Sequence, residues 1–363
     1  MTKRNLFIGC AILLIIVAII FLVSKQRNTV SSVQAGTRTV VDQLGRTVTI
    51  PTDPKRIVCL QHHTLDIILE LQAGDKLVGV INKWQNLISP SLGEIYPRLK
   101  ELPTPGDLET VNIEALTQLN PDLVLVTHYM PKNVIEEIEK MGIPVVAISL
   151  YKADYEQASK LNPKLKDPDN AYTEGFKEGV ALIGNVVGKE QKAAELIDYA
   201  LKSREIVKTR LADSSLDKNR VSCYMANPDM YTYGTGKYTG VIIERAGGRN
   251  VAEDIDGYKQ VTMEQIMKWN PNVIFVQDRY EKVADEIRTN PAWQEVSAVK
   301  NGKIYVAPEY AKPWGHPCPE SMALGELWLA KKLYPDKFAD IDMPQKVNEF
   351  YTKFYGVPYN GIY

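Results

Sequence analysis

The chain repeats itself. Val111-Asn112-Ile113-Glu114 leads through Leu119-Asn120-Pro121-Asp122 into the apolar run Leu123-Val124-Leu125-Val126. Val261-Thr262-Met263-Glu264 leads through Trp269-Asn270-Pro271-Asn272 into Val273-Ile274-Phe275-Val276. Upstream, Arg56-Ile57-Val58-Cys59 is echoed by Arg220-Val221-Ser222-Cys223. Downstream, Gly142-Ile143-Pro144-Val145-Val146-Ala147 is echoed by Gly302-Lys303-Ile304-Tyr305-Val306-Ala307. Three blocks in one order at similar separations mark a duplicated unit, which restricts the fold to two lobes of like construction.

Within each block a short β-branched run follows helical periodicity, and Asn-Pro or Gly separates the two, as in alternating βα units. Apolar runs with no polar alternation, such as Asp122 to Thr127, fit strands covered on both faces. The expected fold is therefore α/β, with two Rossmann-like lobes, each a doubly wound parallel sheet. Between them, Ala171 to Asp213 is almost free of proline and places Ala193, Ile197, Ala200, Leu201 and Val207 on one helical face. Gly188 is the expected break. It leaves a second helix of roughly 25 residues, about 37 Å long, as a rigid strut between the lobes, with the ligand cleft between them. The expected division is 1–36 for a signal or anchor with its linker, 37–170 for the first lobe, 171–213 for the helical connection and 214–363 for the second lobe.

Lys3 and Arg4 precede an uninterrupted apolar run from Leu6 to Val23, followed by a polar stretch, which reads as an export signal. The run is long enough to remain as a membrane anchor over residues 6–23. Val33-Gln34-Ala35 offers a cleavage site as the alternative, giving a periplasmic or secreted form, and Cys10 lies too early in the run for a lipid-attachment box. The remainder is expected on the extracytoplasmic side. With 45% hydrophobic and 24% charged residues it should fold as a globule, and 43 basic against 44 acidic residues leave no electrostatic footprint for nucleic acid. Cys59 and Cys223 sit in strand-like runs as buried thiols, Cys318 has no evident partner, and no structural disulfide is expected.

Open parallel sheets bind ligands beyond the carboxyl ends of their strands. All four histidines of the chain fall at such exits: His62 and His63 after Ile57–Leu60, His128 after Leu123–Val126, and His316 after Ile304–Ala307. For His63 alone, an ordinary surface residue is the competing reading. Imidazole both ligates transition metals and hydrogen-bonds anions, so a metal centre and an oxyanion remain open. His62, His128, Tyr129 and His316 are the candidates for direct metal contact. No HExxH, CxxC pair or EF-hand loop is present. Trp84, Tyr129, Tyr231, Tyr233, Tyr280 and Trp314, with Arg279 as a cation, crowd the same exits and suit a bulky, partly anionic ligand. Trp269 takes the place of Leu119 in the repeat and reads as core. The glycines of Tyr233–Gly240 fit neither nucleotide-loop template. The helix after them could face an anion, with a plain turn as the equal alternative. No nucleophile, base and orienting acid share a motif, so no enzyme activity is expected.

Asp42-Gln43-Leu44-Gly45-Arg46-Thr47-Val48, Pro54-Lys55-Arg56-Ile57-Val58, Asn120-Pro121-Asp122-Leu123-Val124, Ala246-Gly247-Gly248-Arg249-Asn250-Val251 and Asn270-Pro271-Asn272-Val273-Ile274 resemble the substrate-binding proteins of iron-siderophore, haem and cobalamin importers. The match runs over about residues 40 to 355. The resemblance implies two lobes joined by a rigid helix, a ligand in the cleft, no permanent cofactor, a monomer, and a membrane permease with a cytoplasmic ATPase as partners. It also implies that Glu114 and Glu264, at equivalent repeat positions, dock onto the permease; a helix-start carboxylate favoured by the dipole is the plain alternative. The expected cargo is a metal-containing ligand: an iron chelate, haem or cobalamin. Haem would take an axial Tyr129, His62 or His316. Few cleft arginines and many cleft histidines depart from the ferric-siderophore pattern, and a metal oxyanion such as molybdate is the alternative cargo. From another class, a tetrapyrrole metal chelatase resembles these binders in lobe architecture. A tethered sensor ranks last.

Overall fold

The protein is seen here as a computed structural model that describes residues 36–88, 91–212 and 219–361. The apolar amino-terminal run and its cleavage site lie outside these residues. Among the described residues no helix is long and apolar enough to cross a membrane.

The first lobe opens with an antiparallel pair, β1 (Thr37–Val41) and β2 (Thr47–Pro51). It continues through β3 (Ile57–Cys59), α1 (His62–Glu70), β4 (Leu77–Val80), α2 (Ile113–Gln118), β5 (Leu123–Thr127), α3 (Lys132–Lys140) and β6 (Val145–Ile148). Its sheet is parallel, in the order β4-β3-β5-β6. Every residue of β3, β5 and β6 is buried, which is why these strands read as unbroken apolar runs. Two connecting helices follow, α4 (Pro168–Val187) and α5 (Glu190–Arg210). The second lobe contains β7 (Val221–Ala226), β8 (Tyr231–Tyr233), α6 (Tyr238–Arg245), β9 (Gly248–Asn250), β10 (Tyr258–Gln260), α7 (Met263–Trp269), β11 (Val273–Val276), α8 (Glu281–Thr289), β12 (Ile304–Val306), α9 (Glu326–Leu333) and α10 (Met343–Phe354). Its main sheet is again parallel, in the order β12-β11-β7-β9, while β8 and β10 form a separate antiparallel pair.

The duplication is written into the backbone. Asn120 and Asn270, both before proline, take left-handed φ values of 43° and 42°, and Gly142 and Gly302 do so at 77° and 64°. Asparagine is among the few residues with a side chain that visit this region readily. Strand register corrects the repeat alignment by two residues. Ile57 stands opposite Leu123 and Cys223 opposite Val273, so the mate of Ile57 is Cys223 and not Val221. A slip of two keeps each side chain on its own face of the sheet, so apolar patterning alone could not detect it.

The connecting helices begin earlier and end sooner than their sequence span, and Gly188 separates them in a left-handed conformation at φ 68°. The strut is α4 and not the longer helix after it. Near its start, the Tyr172 hydroxyl donates to Gly236 O at 2.9 Å, and Arg245 of α6 holds Asp169 at 2.6 Å. Farther along, Gly175 and Gly179 lie so close to Tyr151 and Leu150 of the first lobe that neither has room for a Cβ. Meanwhile α5 lies along the second lobe, with Arg210 paired to Asp340 and Ser203 bonded to Ala323 O. One apolar cluster runs from Ile57 and Leu125 through Phe176, Val180 and Leu196 to Phe275 and Trp328, tying the lobes through the helices. The chain end returns to the first lobe, where the Tyr355 hydroxyl donates to Asp66 at 2.7 Å.

Candidate functional site

All four histidines meet at the junction of the lobes. The ring centroids of His62 and His63 are 4.0 Å apart, His63 and His316 5.6 Å, and His316 and His128 5.3 Å. Each arrives from a strand exit. His62 and His63 open α1, whose start is fixed by Gln61: its amide donates to Ile148 O, and its Oε1 accepts from the Thr64 hydroxyl at 2.5 Å. His128 follows β5 directly. His316 is carried by the loop after β12, which α6 secures: Tyr238 N donates to Gly315 O at 3.1 Å and the Thr239 hydroxyl to Trp314 O at 2.8 Å. The start of α6, at Tyr238 within Tyr233–Gly240, thus serves this loop, which accounts for the motif without an anion.

The histidines divide into two kinds. His128 Nε2 lies 3.1 Å from Lys160 O, and its Nδ1 lies 3.3 Å from Ile148 O and 3.5 Å from the Thr127 hydroxyl. A neutral ring has one N–H, which donates from Nε2 to the Lys160 carbonyl; Nδ1 then accepts from the Thr127 hydroxyl, and the Ile148 carbonyl accepts from His128 N instead, so both ring nitrogens are engaged within the protein. By contrast, His62 Nδ1, His63 Nε2 and both nitrogens of His316 are buried without a hydrogen-bond partner among the described residues. His316 approaches the Ser149 backbone, but not in hydrogen-bond geometry. Buried polar atoms of this kind ordinarily find partners.

Burial, first, keeps these rings neutral. It carries His62 down to about 3, with Arg279 adding to the effect, and His128 down to about 4, with Lys237 adding and two backbone carbonyls opposing. His63 and His316 are held well below the ordinary histidine value, again chiefly by burial and then by neighbouring rings and cations. The cations are Arg279, whose guanidinium lies 4.9 Å over the Trp314 ring, and Lys237, buried and lowered to about 8 by desolvation. Trp314 itself stands 6.3 Å from His62 and 5.7 Å from His63, and its Nε1 donates to Asp278 at 3.4 Å. Arg279 donates from Nε to Gln277, which donates in turn to the Tyr233 hydroxyl at 3.1 Å.

Neutral imidazoles beside two cations can hydrogen-bond an anion, whereas a bare metal cation would be repelled by Arg279 and Lys237. Nor do the imidazoles converge as metal ligands. Among the described residues the one group whose ligand atoms lie within 4.8 Å of one another is Asp66, Cys318 and Glu320, and the Lys312 ammonium already occupies it.

Of the expected aromatic residues, Trp314 joins the histidines. Tyr129 meets His128 edge-to-face at 4.9 Å, and Tyr233 packs against Gly315. Tyr280 lies under Arg279 and lines an interlobe groove of about 830 Å³ with Asp278, Glu309 and Trp328. Tyr231 instead stacks on Tyr258 at 5.0 Å, on the β8–β10 pair. Trp84 is a core residue, 2% exposed and packed by Gly93 in the first lobe, and makes no ring contact with the cluster. Its proximity to a strand exit in sequence was misleading, because a short helix turns the ring inward. Sequence reasoning missed Tyr151, stacked 6.1 Å from His316, and also Gln277 and Lys237. Tyr151 and Gln277 follow β6 and β11, so reading polar and aromatic residues at every exit would have found both. Glu114 and Glu264 are exposed in the first turns of α2 and α7, which are capped alike by Asn112 and Thr262.

The model of the periplasmic binding protein family matches residues 57–311. The chain belongs to that family. It is 48% identical over 323 residues to the molybdate-binding protein MolA of Haemophilus influenzae, covering 89% of this chain and 92% of that one. The solved structure of MolA bound to molybdate superposes with a TM-score of 0.86 at 46% identity, over 90% of this chain and 100% of that chain. The Fe(3+)-citrate-binding protein YfmC of Bacillus subtilis is 25% identical, covering 78% of this chain and 83% of its own. The chain is thus an extracytoplasmic substrate-binding component of an ABC transporter, working with a permease, and not an enzyme, which removes the chelatase alternative.

Proposed function

We propose that the protein captures a tetrahedral metal oxyanion such as molybdate between its lobes and delivers it to the permease. The observation that carries this reading is the set of unpartnered nitrogens on His62, His63 and His316, buried beside Arg279 and Lys237. An oxyanion offers acceptors only, and each neutral imidazole can turn one N–H toward it. The molybdate-binding relative at 48% identity supports the same cargo. His128 orients the cluster in this reading and does not touch the ligand. The cytoplasmic ATPase, the anchor over residues 6–23, and docking through Glu114 and Glu264 complete the proposal.

An iron chelate has one observation in its favour, the groove of about 830 Å³ beside Arg279 and Tyr280, which exceeds the needs of a small anion. Haem and cobalamin have no comparable support. Calorimetric titration of the purified protein with molybdate, tungstate, ferric citrate and haem separates these readings. The oxyanion reading expects saturable one-to-one binding of the first two. Binding of ferric citrate or haem alone would reject it.

A further inference from the structure

We propose that anion binding among the imidazoles is coupled to uptake of one proton by a buried carboxyl cluster one ring away, with Asp66 as the acceptor. This rests on the oxyanion reading above. Asp66 and Glu70 lie one turn apart on α1, the helix that His62 and His63 begin. The Lys312 ammonium joins Asp66 Oδ2 at 2.5 Å to Glu320 Oε1 at 2.6 Å, and the three side chains are wholly buried. The groups facing Asp66 are Glu70 on its own helix, Lys312 and Cys318 on the loop after β12, Glu320 at the helical start that leads into α9, and Tyr351 and Tyr355 at the end of the chain. Lys312 is the one cation bonded to these carboxyls among the described residues.

Three buried carboxyl groups around one ammonium cannot all be ionised. Glu70 has no donor on either oxygen, and burial and then Glu320 keep it protonated. Lys312 and Tyr355 hold Glu320 ionised against the cost of burial. Asp66 is then left near balance. Burial and Glu320 raise it to about 7, against Lys312 and the Tyr355 hydroxyl.

The path to the ligand site is short. The Lys312 ammonium lies 5.4 Å over the Trp314 ring, and that ring faces His62, His63 and Arg279. A dianion placed among the imidazoles adds negative charge in a buried, poorly screened region and disfavours a second negative charge in the cluster. Asp66 therefore takes a proton from bulk water and forms a carboxylic O–H, while Glu320 and Lys312 stay ionised. By linkage, affinity is highest at low pH and falls as pH rises above about 7, by up to about tenfold per pH unit.

The test uses molybdate as probe. Calorimetry at about pH 7.5 in buffers of different ionisation enthalpy counts the protons taken up, and affinity is followed over about pH 7 to 8.5. The wild type should take up a substantial fraction of one proton. Asp66→Asn should take up clearly less, keeping only the share owed to Lys237, which burial lowers to about 8 beside the anion and which is charged more fully when the anion binds. Glu320→Gln, which removes the negative charge that adds to burial in raising Asp66, should move the transition to lower pH. It also serves as the decisive variant if Asp66→Asn does not fold. Uptake undiminished in Asp66→Asn, or a transition unmoved in Glu320→Gln, would assign the proton to Lys237 and the imidazoles beside the anion and overturn the proposal. Wild-type binding without uptake overturns the coupling alone; wild-type failure to bind molybdate overturns the oxyanion reading with it.

Discussion

His316 and His128 stand 5.3 Å apart, yet only one of them has nitrogens left for a ligand. Their substitutions should therefore fail differently. His316→Ala or His63→Ala removes a donor to a charged ligand, worth about 1.5–3 kcal/mol, so affinity should fall about tenfold or more in calorimetry while the melting temperature changes little. His128→Ala removes a buried ring and one of the two donors to the Lys160 carbonyl, the other being the Tyr151 hydroxyl, and should lower stability first, by about 1–3 kcal/mol in denaturant unfolding. The same rings set the acid limit. His62 is lowered to about 3 when folded, against an ordinary value of 6.5, so the unfolded chain binds the extra proton as pH falls. Its contribution is fully present above 6.5 and is lost downward through about 3, at up to about 1.4 kcal/mol per pH unit. Thermal unfolding of the ligand-free protein from neutral pH to about pH 4 checks this sign. The location of the histidines was legible because strand exits are fixed by chain direction. Which nitrogens remain free was not, because it depends on the carbonyl of Lys160, which is distant in sequence.

Among the elements, α4 bears most directly on the site. Gly175 abuts the Tyr151 backbone, and the Tyr151 ring stacks on His316. Gly175→Ala should cost about 1–3 kcal/mol through overpacking and also weaken anion binding, whereas Asn112→Ala at the α2 cap should cost about 1 kcal/mol with binding intact. Denaturant melts paired with titrations distinguish the two. The parallel sheets were readable from apolar runs and Asn-Pro punctuation, since a strand buried on both faces has no polar alternation to hide it. The identity of the strut was not readable. Both connecting helices show helical periodicity, and only the tertiary contacts of Gly175, Gly179 and Tyr172 reveal which one touches both lobes.

At the scale of the molecule, the continuous apolar cluster through α4 and α5 resists the wide opening that a flexible hinge would allow. Capture should therefore proceed by a small rocking of the lobes, and scattering profiles with and without ligand should differ little. The outer face is a separate matter. Glu114→Lys with Glu264→Lys should abolish uptake in cells while leaving calorimetric affinity unchanged, since both carboxylates are exposed on α2 and α7. Repeat symmetry made that pair visible in the sequence, but cargo identity was less visible, because imidazoles serve metals and anions equally until their charged neighbours are placed. The central claim is that the imidazoles of His62, His63 and His316, set beside Arg279 and Lys237, hold an oxyanion. Titrating molybdate into the wild type and into a His63→Ala, His316→Ala double variant tests it most directly: tight binding by the first and at least a hundredfold weaker binding by the second is predicted, at about 1.4 kcal/mol per tenfold. Equal affinity in the two would contradict it.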